Sequence, residues 1–328
     1  MAAVSIIVIY HRVIPFLRPA VRSLLDQTWR DLEVVLVDNG TGTGLAALGE
    51  DAGDPRVRLV SLPANLGYSR AFMAGLAQSS GEFIGMHGYD DLALPLRIER
   101  QVALLRAEPR LGIVSSLADT IDARGAIIGH EFTLAGGRDQ FTYTAYSTPA
   151  PAPSFLFRRA VFGQFPLRPD FDLAEDYDLV SRVVEVWTMR CVPEVLVHYR
   201  RHPGQVTVQL NDGQTLCVCL VRLLTARRRA GRDEDLAGAL AGVGAWLHEA
   251  PGQAVLYRRF AAWFRREGFP DQAVYHARKL LSVRRGPAEM VFALGIVAAA
   301  LVRAPGRAWF LLRLFFAGPL RAHGLRPA

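Results

Sequence analysis

The sequence predicts an α/β protein: a mostly parallel central sheet with helices on both faces, extended by a helical C-terminal region. Three observations carry this. From Val4 to Leu117, short apolar and largely β-branched runs alternate with segments of helical spacing. The runs are mostly apolar without strict polar alternation, as expected of strands buried on both faces rather than one. Beyond Gln205 the pattern is helical, with no further strand signal.

Taken in order, Val4–Tyr10 is the first buried strand. Pro15–Gln27 follows as a helix, with Phe16, Leu17, Ala20, Val21, Leu24 and Leu25 on one face and Pro15 at its start. Leu32–Val37 is the second strand, stopped by the turn-forming Asp38-Asn39-Gly40. Val57–Leu62, Phe83–His87 and Leu111–Leu117 read as further strands, and Ser69–Gln78 and Pro95–Ala107 as helices. The region 120–170 is less regular. Thr148–Pro153 is held extended by its prolines, and Ser154–Arg158 resumes a strand. Asp176–Val186 reads as a helix and Cys191–Tyr199 as a strand. Ligands on such sheets bind at the carboxyl ends of the strands. That singles out Tyr10-His11-Arg12, Asp38-Asn39, Leu62–Gly67 and Gly88–Asp91.

Composition narrows the classes. The 328 residues are 51% hydrophobic and 21% charged, enough for a sizeable core and against wholesale disorder. Three cysteines (Cys191, Cys217, Cys219) do not make a disulfide framework, and a reducing compartment is the simpler reading. No Cys/His spacing matches structural zinc. The N-terminus lacks a basic leader and a small-residue cleavage site, so no secretory signal is expected. The net charge of +7 is two opposite charges. Residues 1–199 hold 18 Lys and Arg against 23 Asp and Glu, whereas residues 200–328 hold 20 against 8. The basic part contains no nucleic-acid reading motif, so no nucleic-acid partner is expected.

Met290–Val302 is an uncharged run of 13 residues, too short to span a bilayer, which takes about 20. Arg303 and Arg307 end it, and Trp309–Ala317 resumes it around Arg313. Two readings stand: amphipathic helices in a membrane interface, or helices packed on the core or on a second copy in a homo-oligomer.

Several residues can carry chemistry. Asp90-Asp91 follows a strand; adjacent carboxylates suit a divalent ion carrying a diphosphate, or a helix cap beside a solvated acid. Asp38 can read a base or ribose, or merely close its turn. Glu175-Asp176-Tyr177-Asp178 opens a helix. Acids there complement the helix dipole, and one aimed into a cleft can serve as a general base. His202 is either a metal or phosphate contact or a surface histidine. Gly40, Gly42 and Gly44 have neither dinucleotide spacing nor a P-loop lysine.

Together these segments resemble the family 2 glycosyltransferases. The resemblance runs in the family's order through Val4–Arg12, Ser23-Leu-Leu-Asp-Gln-Thr28, Leu32–Gly40, Asn65–Ala71 with Gly75, Gly81–Ile84, Glu175–Leu179 with Arg182, and Tyr199–Gly204. It covers roughly residues 4–207. It implies a GT-A fold over 1–207, with a nucleotide-sugar part (about 1–118) and an acceptor part (about 119–207). The basic helical region 208–328 is then left for a membrane surface or a partner.

The resemblance further implies an inverting transfer of a hexosyl or deoxyhexosyl group. The donor would be a nucleotide-diphosphate sugar and the acceptor a hydroxyl on a glycan or lipid-linked molecule, in bacterial polysaccharide synthesis. Tyr10, Asp38, Asn39, Arg70 and Asp90 would bind the nucleotide sugar. Asp90, Asp91 and His202 would hold a divalent metal, Mn²⁺ or Mg²⁺, and Asp176 would be the catalytic base. The expected location is the cytoplasm, peripheral at the inner face of the plasma membrane. Two positions depart from the family pattern. Gly88 stands where the first acid of Asp-x-Asp is usual, and Phe72-Met73 stand where Arg-Asn is usual. The alternative is therefore a weak or inactive relative acting as a membrane-associated binding partner.

Overall fold

The computed structural model describes residues 3–317 apart from 132, 135–139, 206–210 and 248–251. The expected boundary at 207/208 and the chain beyond 317 lie outside the described residues. Among the described residues two compact units emerge, one within residues 3–140 and 148–205, the other within 141–147 and 211–317.

The first unit is α/β, as the sequence predicts. Its strands are β1 (Val4–Tyr10), β2 (Leu32–Asn39), β3 (Val57–Leu62), β4 (Phe83–His87), β5 (Leu92–Ala93), β6 (Leu111–Ile121), β7 (Ile127–Glu131), β8 (Leu156–Arg158) and β9 (Thr188–Arg200). Its helices are α1 (Leu17–Leu25), α2 (Tyr68–Gln78), α3 (Arg97–Ala107), α4 (Ala160–Gln164) and α5 (Glu175–Val183). The sheet order is β3-β2-β1-β4-β8-β6-β9-β5, with β7 on β6. The β3-β2-β1-β4 half is parallel throughout, and the far half is mixed.

Alternation along β1 divides the core. Val4, Ile6 and Val8 pack with Leu17, Val21 and Leu24 of α1 and Ile98 and Val102 of α3. Ile7 and Ile9 join Val35 and Val37 against Ala71 and Phe72 of α2 on the other face. Gly75 explains how closely α2 lies: a Cβ there would meet Val37 Cγ2 at 2.8 Å.

Register fixes what meets at the carboxyl edge. Tyr10 lies beside Asp38, and Val8 beside His87. Strand β9 runs from β6 to β5, pairing His198 with Leu92, which returns Tyr199–Gly204 to the segment after β4. The strand expected over Ser154–Arg158 is shorter, because Ser154 belongs to a 3₁₀ turn. Strands β6 and β9 are longer than expected since each supplies the other's hydrogen bonds.

The second unit is helical: α6 (Asn211–Arg229), α7 (Leu236–Leu247), α8 (Gln253–Glu267), α9 (Pro270–Val283), α10 (Pro287–Arg303) and α11 (Ala308–Ala317). Segment 141–147 is stitched into it. Arg222 Nε donates to the Tyr146 carbonyl at 2.8 Å, Gln272 to the Ala145 carbonyl at 2.9 Å, and the Tyr146 hydroxyl to Asp271 at 3.1 Å. All three cysteines are free.

Candidate active site

The candidate residues gather into three clusters around the carboxyl edge of the sheet. The first joins β1 and β2. Asp38 is fully buried, and its carboxylate accepts the Thr41 N–H and hydroxyl, each at 2.7 Å, and the Gly44 N–H at 2.8 Å. Burial pushes its pKa up, but these hydrogen bonds outweigh burial and leave it below the ordinary carboxylate value. The Tyr10 hydroxyl donates to the Gly44 carbonyl at 2.9 Å, and burial raises that phenol to about 12. Asp38 therefore shapes the 38–44 loop with most of its acceptor capacity.

Asn39 is a bracket. Its Nδ2 donates to Asn65 Oδ1 at 3.0 Å and to the Gly67 carbonyl at 3.3 Å, and its Oδ1 accepts the Leu66 N–H at 2.9 Å. The next residue, Gly40, has φ +89°, and a Cβ there would sit 2.4 Å from the backbone of Ala64 and Asn65. Arg70 lies exposed in the first turn of α2, with no hydrogen bond or ion pair among the described residues.

The second cluster forms where β4 and β9 end. His202 Nε2 lies 2.9 Å from Asp90 Oδ2, although 112 residues separate them. Arg200 organises the surroundings. Its Nε donates to the Asp90 carbonyl at 2.8 Å, its guanidinium stacks 4.5 Å over Phe16, and its backbone N–H donates to Asp91 Oδ1 at 2.8 Å. Asp91 is thus 1% exposed and tied to β9. Burial, then the Asp90 charge, pushes its pKa well above the carboxylate range. Beneath it Arg97 is wholly buried, donating to the Met86 carbonyl at 3.1 Å and standing 3.1 Å from His87 Nδ1. Arg12 donates to the Tyr89 hydroxyl at 3.3 Å and to the Gly204 carbonyl, closing the cluster.

The third cluster opens α5. Glu175 Oε2 accepts the Leu173 N–H at 2.9 Å, and Leu173 holds a left-handed φ of 105°. Asp176 Oδ1 accepts the Tyr177 N–H at 2.7 Å. Burial raises the Asp176 carboxyl to about 6. Burial and the Asp176 charge raise Glu175 to about 8. Asp178 serves the fold instead, being 1% exposed and ion-paired to both Arg168 and Arg182. Among the described residues, no hydrogen bond joins Asp176 to the Asp90–His202 pair.

The metal fit rests on the second cluster. Two ligands of one octahedral ion at about 2.1 Å stand about 3 Å apart, so the 2.9 Å between Asp90 Oδ2 and His202 Nε2 suits two adjacent ligands. Among the described residues there is no group of three or more His, Cys, Asp or Glu that could hold a metal ion. The pair offers two ligands at most, so any ion held there would draw its remaining ligands from elsewhere.

Sequence reasoning did not single out Arg200, Asp172 or the Arg97–His87 pair. Asp172 Oδ1 accepts the Ser69 N–H at 2.9 Å, joining the first turn of α2 to the chain before Asp176. Only the local signal of an acid near a helix start was available for it.

Residues 5–165 match the family model described as Glycosyl transferase family 2. The matched stretch, residues 5–165, carries the features of that family. An uncharacterized glycosyltransferase of Haemophilus influenzae is 26% identical over 64% of this chain and 69% of its own length. The O-antigen biosynthesis protein RfbC of Myxococcus xanthus is 28% identical over 56% of this chain, which spans only 15% of RfbC. Among solved structures, Staphylococcus aureus TarS 1–349 in complex with UDP-GlcNAc shares the fold with TM-score 0.56 and 14% identity, covering 98% of this chain and 89% of TarS 1–349. The Pyrobaculum calidifontis mannosyltransferase PcManGT, in complex with GDP-Man and Mn²⁺, does so with TM-score 0.52 and 19% identity, covering 98% of this chain and 86% of its own. The family 2 match spans β1 through α4 and takes in the first cluster and Asp90, while Asp176 and His202 lie beyond it.

Proposed function

We propose that this protein is a family 2 glycosyltransferase that moves a sugar from a nucleotide-diphosphate donor to an acceptor hydroxyl, with inversion, in cell-surface polysaccharide synthesis. The observation that carries this is the 2.9 Å pairing of Asp90 with His202 at the carboxyl edge of the sheet. The ligands named with TarS and PcManGT support a nucleotide-sugar donor and a divalent ion. The name of RfbC supports the polysaccharide role.

Asp90 and His202 would hold the ion, with Asp91 behind them fixing the β9 strand through Arg200. When bound, the ion supplies positive charge to the leaving diphosphate. The Tyr10–Asp38 loop and the Asn39–Gly67 bracket would shape the nucleoside pocket, and Arg70 would lend a cation to the phosphates. Asp176 would take the proton from the attacking hydroxyl. Its raised pKa leaves it ionised at neutral pH yet basic enough for that transfer. One base opposite one leaving group gives a single displacement, hence inversion at the anomeric carbon.

Release of nucleoside diphosphate from a panel of sugar nucleotides tests this reading. Acceptor-dependent release that Asp176→Asn cuts by about a hundredfold or more is the expected result. No release from any donor would favour the binding-partner alternative, which rests on Gly88 in place of an acid.

A further inference from the structure

The outer faces of α10 and α11 do not fit water. On α10, Ala293, Ile296, Val297 and Ala300 are buried inward, where the helix packs on α9 and α8. Its outward stripe is Met290, Val291, Leu294, Gly295, Ala298 and Val302, all exposed and none polar. Val291 is 72% exposed, Leu294 51% and Val302 82%. Helix α11 continues the pattern with Trp309 at 73% and Phe316 at 76%. A surface helix normally turns charged residues outward; this one turns apolar residues both ways.

Arginines rim the stripe. Arg284 and Arg285 precede α10, and Arg303 and Arg307 stand at its far end. From residue 284 onward the sequence holds seven arginines and one acid, Glu289, which pairs with Arg284 at 3.2 Å. Asp271, from α9, stands 3.9 Å from Arg307, and Arg303 donates to the Arg265 carbonyl, so the arginines still outnumber the acids near them.

We propose that this edge is a peripheral membrane-binding surface that selects anionic phospholipid. The apolar stripe with Trp309 and Phe316 enters the boundary between headgroups and acyl chains, and the flanking arginines meet lipid phosphates. A spanning arrangement does not fit. Helix α10 is held along the second unit by its inner face, the pair bends by 114° at its break, and no single described helix is long and apolar enough to cross. A second copy fits poorly as well. A two-fold contact sets the same patch against itself, so the arginine-rimmed ends would meet arginine-rimmed ends. An anionic leaflet supplies the missing charge.

Flotation of the full chain with vesicles tests this, independently of any transfer activity. Phosphatidylcholine vesicles are compared with vesicles containing phosphatidylglycerol. Wild type should float with the anionic vesicles. V291E/L294E should bind about tenfold more weakly or worse, with unchanged circular dichroism and Tm because both side chains face outward. R303Q/R307Q should lose the preference for anionic over neutral vesicles. Wild type that floats with neither vesicle overturns the proposal. So does V291E/L294E that floats like wild type. A lipid-free dimer that V291E/L294E converts to monomer also overturns it, by assigning the stripe to self-contact.

Discussion

Asp172 accepts a hydrogen bond from the Ser69 backbone N–H at 2.9 Å, across 103 residues of sequence. The contact is tight: a Cβ on Gly67, whose φ is +82°, would lie 2.0 Å from the other Asp172 oxygen. Asp172 thus caps α2 and ties it to the loop that leads into α5 and Asp176. Asp172→Ala should cost about 1 kcal/mol, a typical loss for a cap and its dipole contact. It should also lower kcat more than it raises KM for the donor. Denaturant unfolding and steady-state kinetics check both. A stability loss with kcat intact would make Asp172 a cap and nothing more.

Asp176 joins function to instability. Its carboxyl is raised to about 6 in the folded chain, against about 3.9 unfolded. A carboxyl raised on folding favours the protonated fold, so its contribution is full below about pH 4 and is lost as pH rises through about 6. Asp176→Asn should then raise stability at pH 8, by up to about 3 kcal/mol, and make little difference near pH 4. The same variant should lower kcat by about 10²–10⁴-fold. Wild-type kcat should fall below about pH 6 as the base is protonated. Tm against pH for both chains, with a pH–rate profile, tests the pair of claims.

Gly88 cannot simply be restored to the acid usual in the family. A Cβ there would lie 2.2 Å from Asp91 Oδ2 and 3.0 Å from Asp90 Oδ1, and Asp91 is anchored on the Arg200 N–H. Gly88→Asp should cost about 1–3 kcal/mol through overpacking and add a third carboxylate to a crowded site. Thermal melting and Mn²⁺ titration check this. A variant with wild-type Tm and tighter metal binding would contradict it.

Asp178 is the structural acid of α5. Removing it as Asp178→Ala takes the shared carboxylate from Arg168 and Arg182, whose side chains are 18% and 10% exposed. The expected loss is about 3 kcal/mol, at the low end for a broken buried pair because Arg168 reaches solvent. Urea unfolding measures it, and a loss under about 1 kcal/mol would refute the structural role.

Much of the first unit was legible because β1, β2 and β4 are buried at every position, and the partly buried edge strand β3 still carries a mostly apolar run. Val4–Tyr10, Val57–Leu62 and Phe83–His87 coincide with β1, β3 and β4. Strand β5 has two residues, too few for any periodicity, and β7 exposes Ile127 and Ile128, so neither reads as a core strand. The order of motifs suggested that Asp90 and His202 act together; the pairing of Leu92 with His198 is what brings them together. Adjacency could not say which of Asp90 and Asp91 turns inward. The backbone N–H of Arg200 decides that, and no sequence pattern marks it. The three acids of α5 look alike in sequence and part company only through Arg168 and Arg182.

The central claim is that Asp90 and His202 hold a divalent ion for a nucleotide-sugar donor. Thermal shift of the full chain with UDP-, GDP- and dTDP-sugars, with Mn²⁺ or with excess chelator, tests it most directly. Donor at about a hundredfold Kd adds about 2.7 kcal/mol to the folded state, a shift of several degrees. The account predicts that at least one donor raises Tm with Mn²⁺, and that the rise disappears with chelator and in His202→Ala. The same rise in chelator, or in His202→Ala, would contradict it.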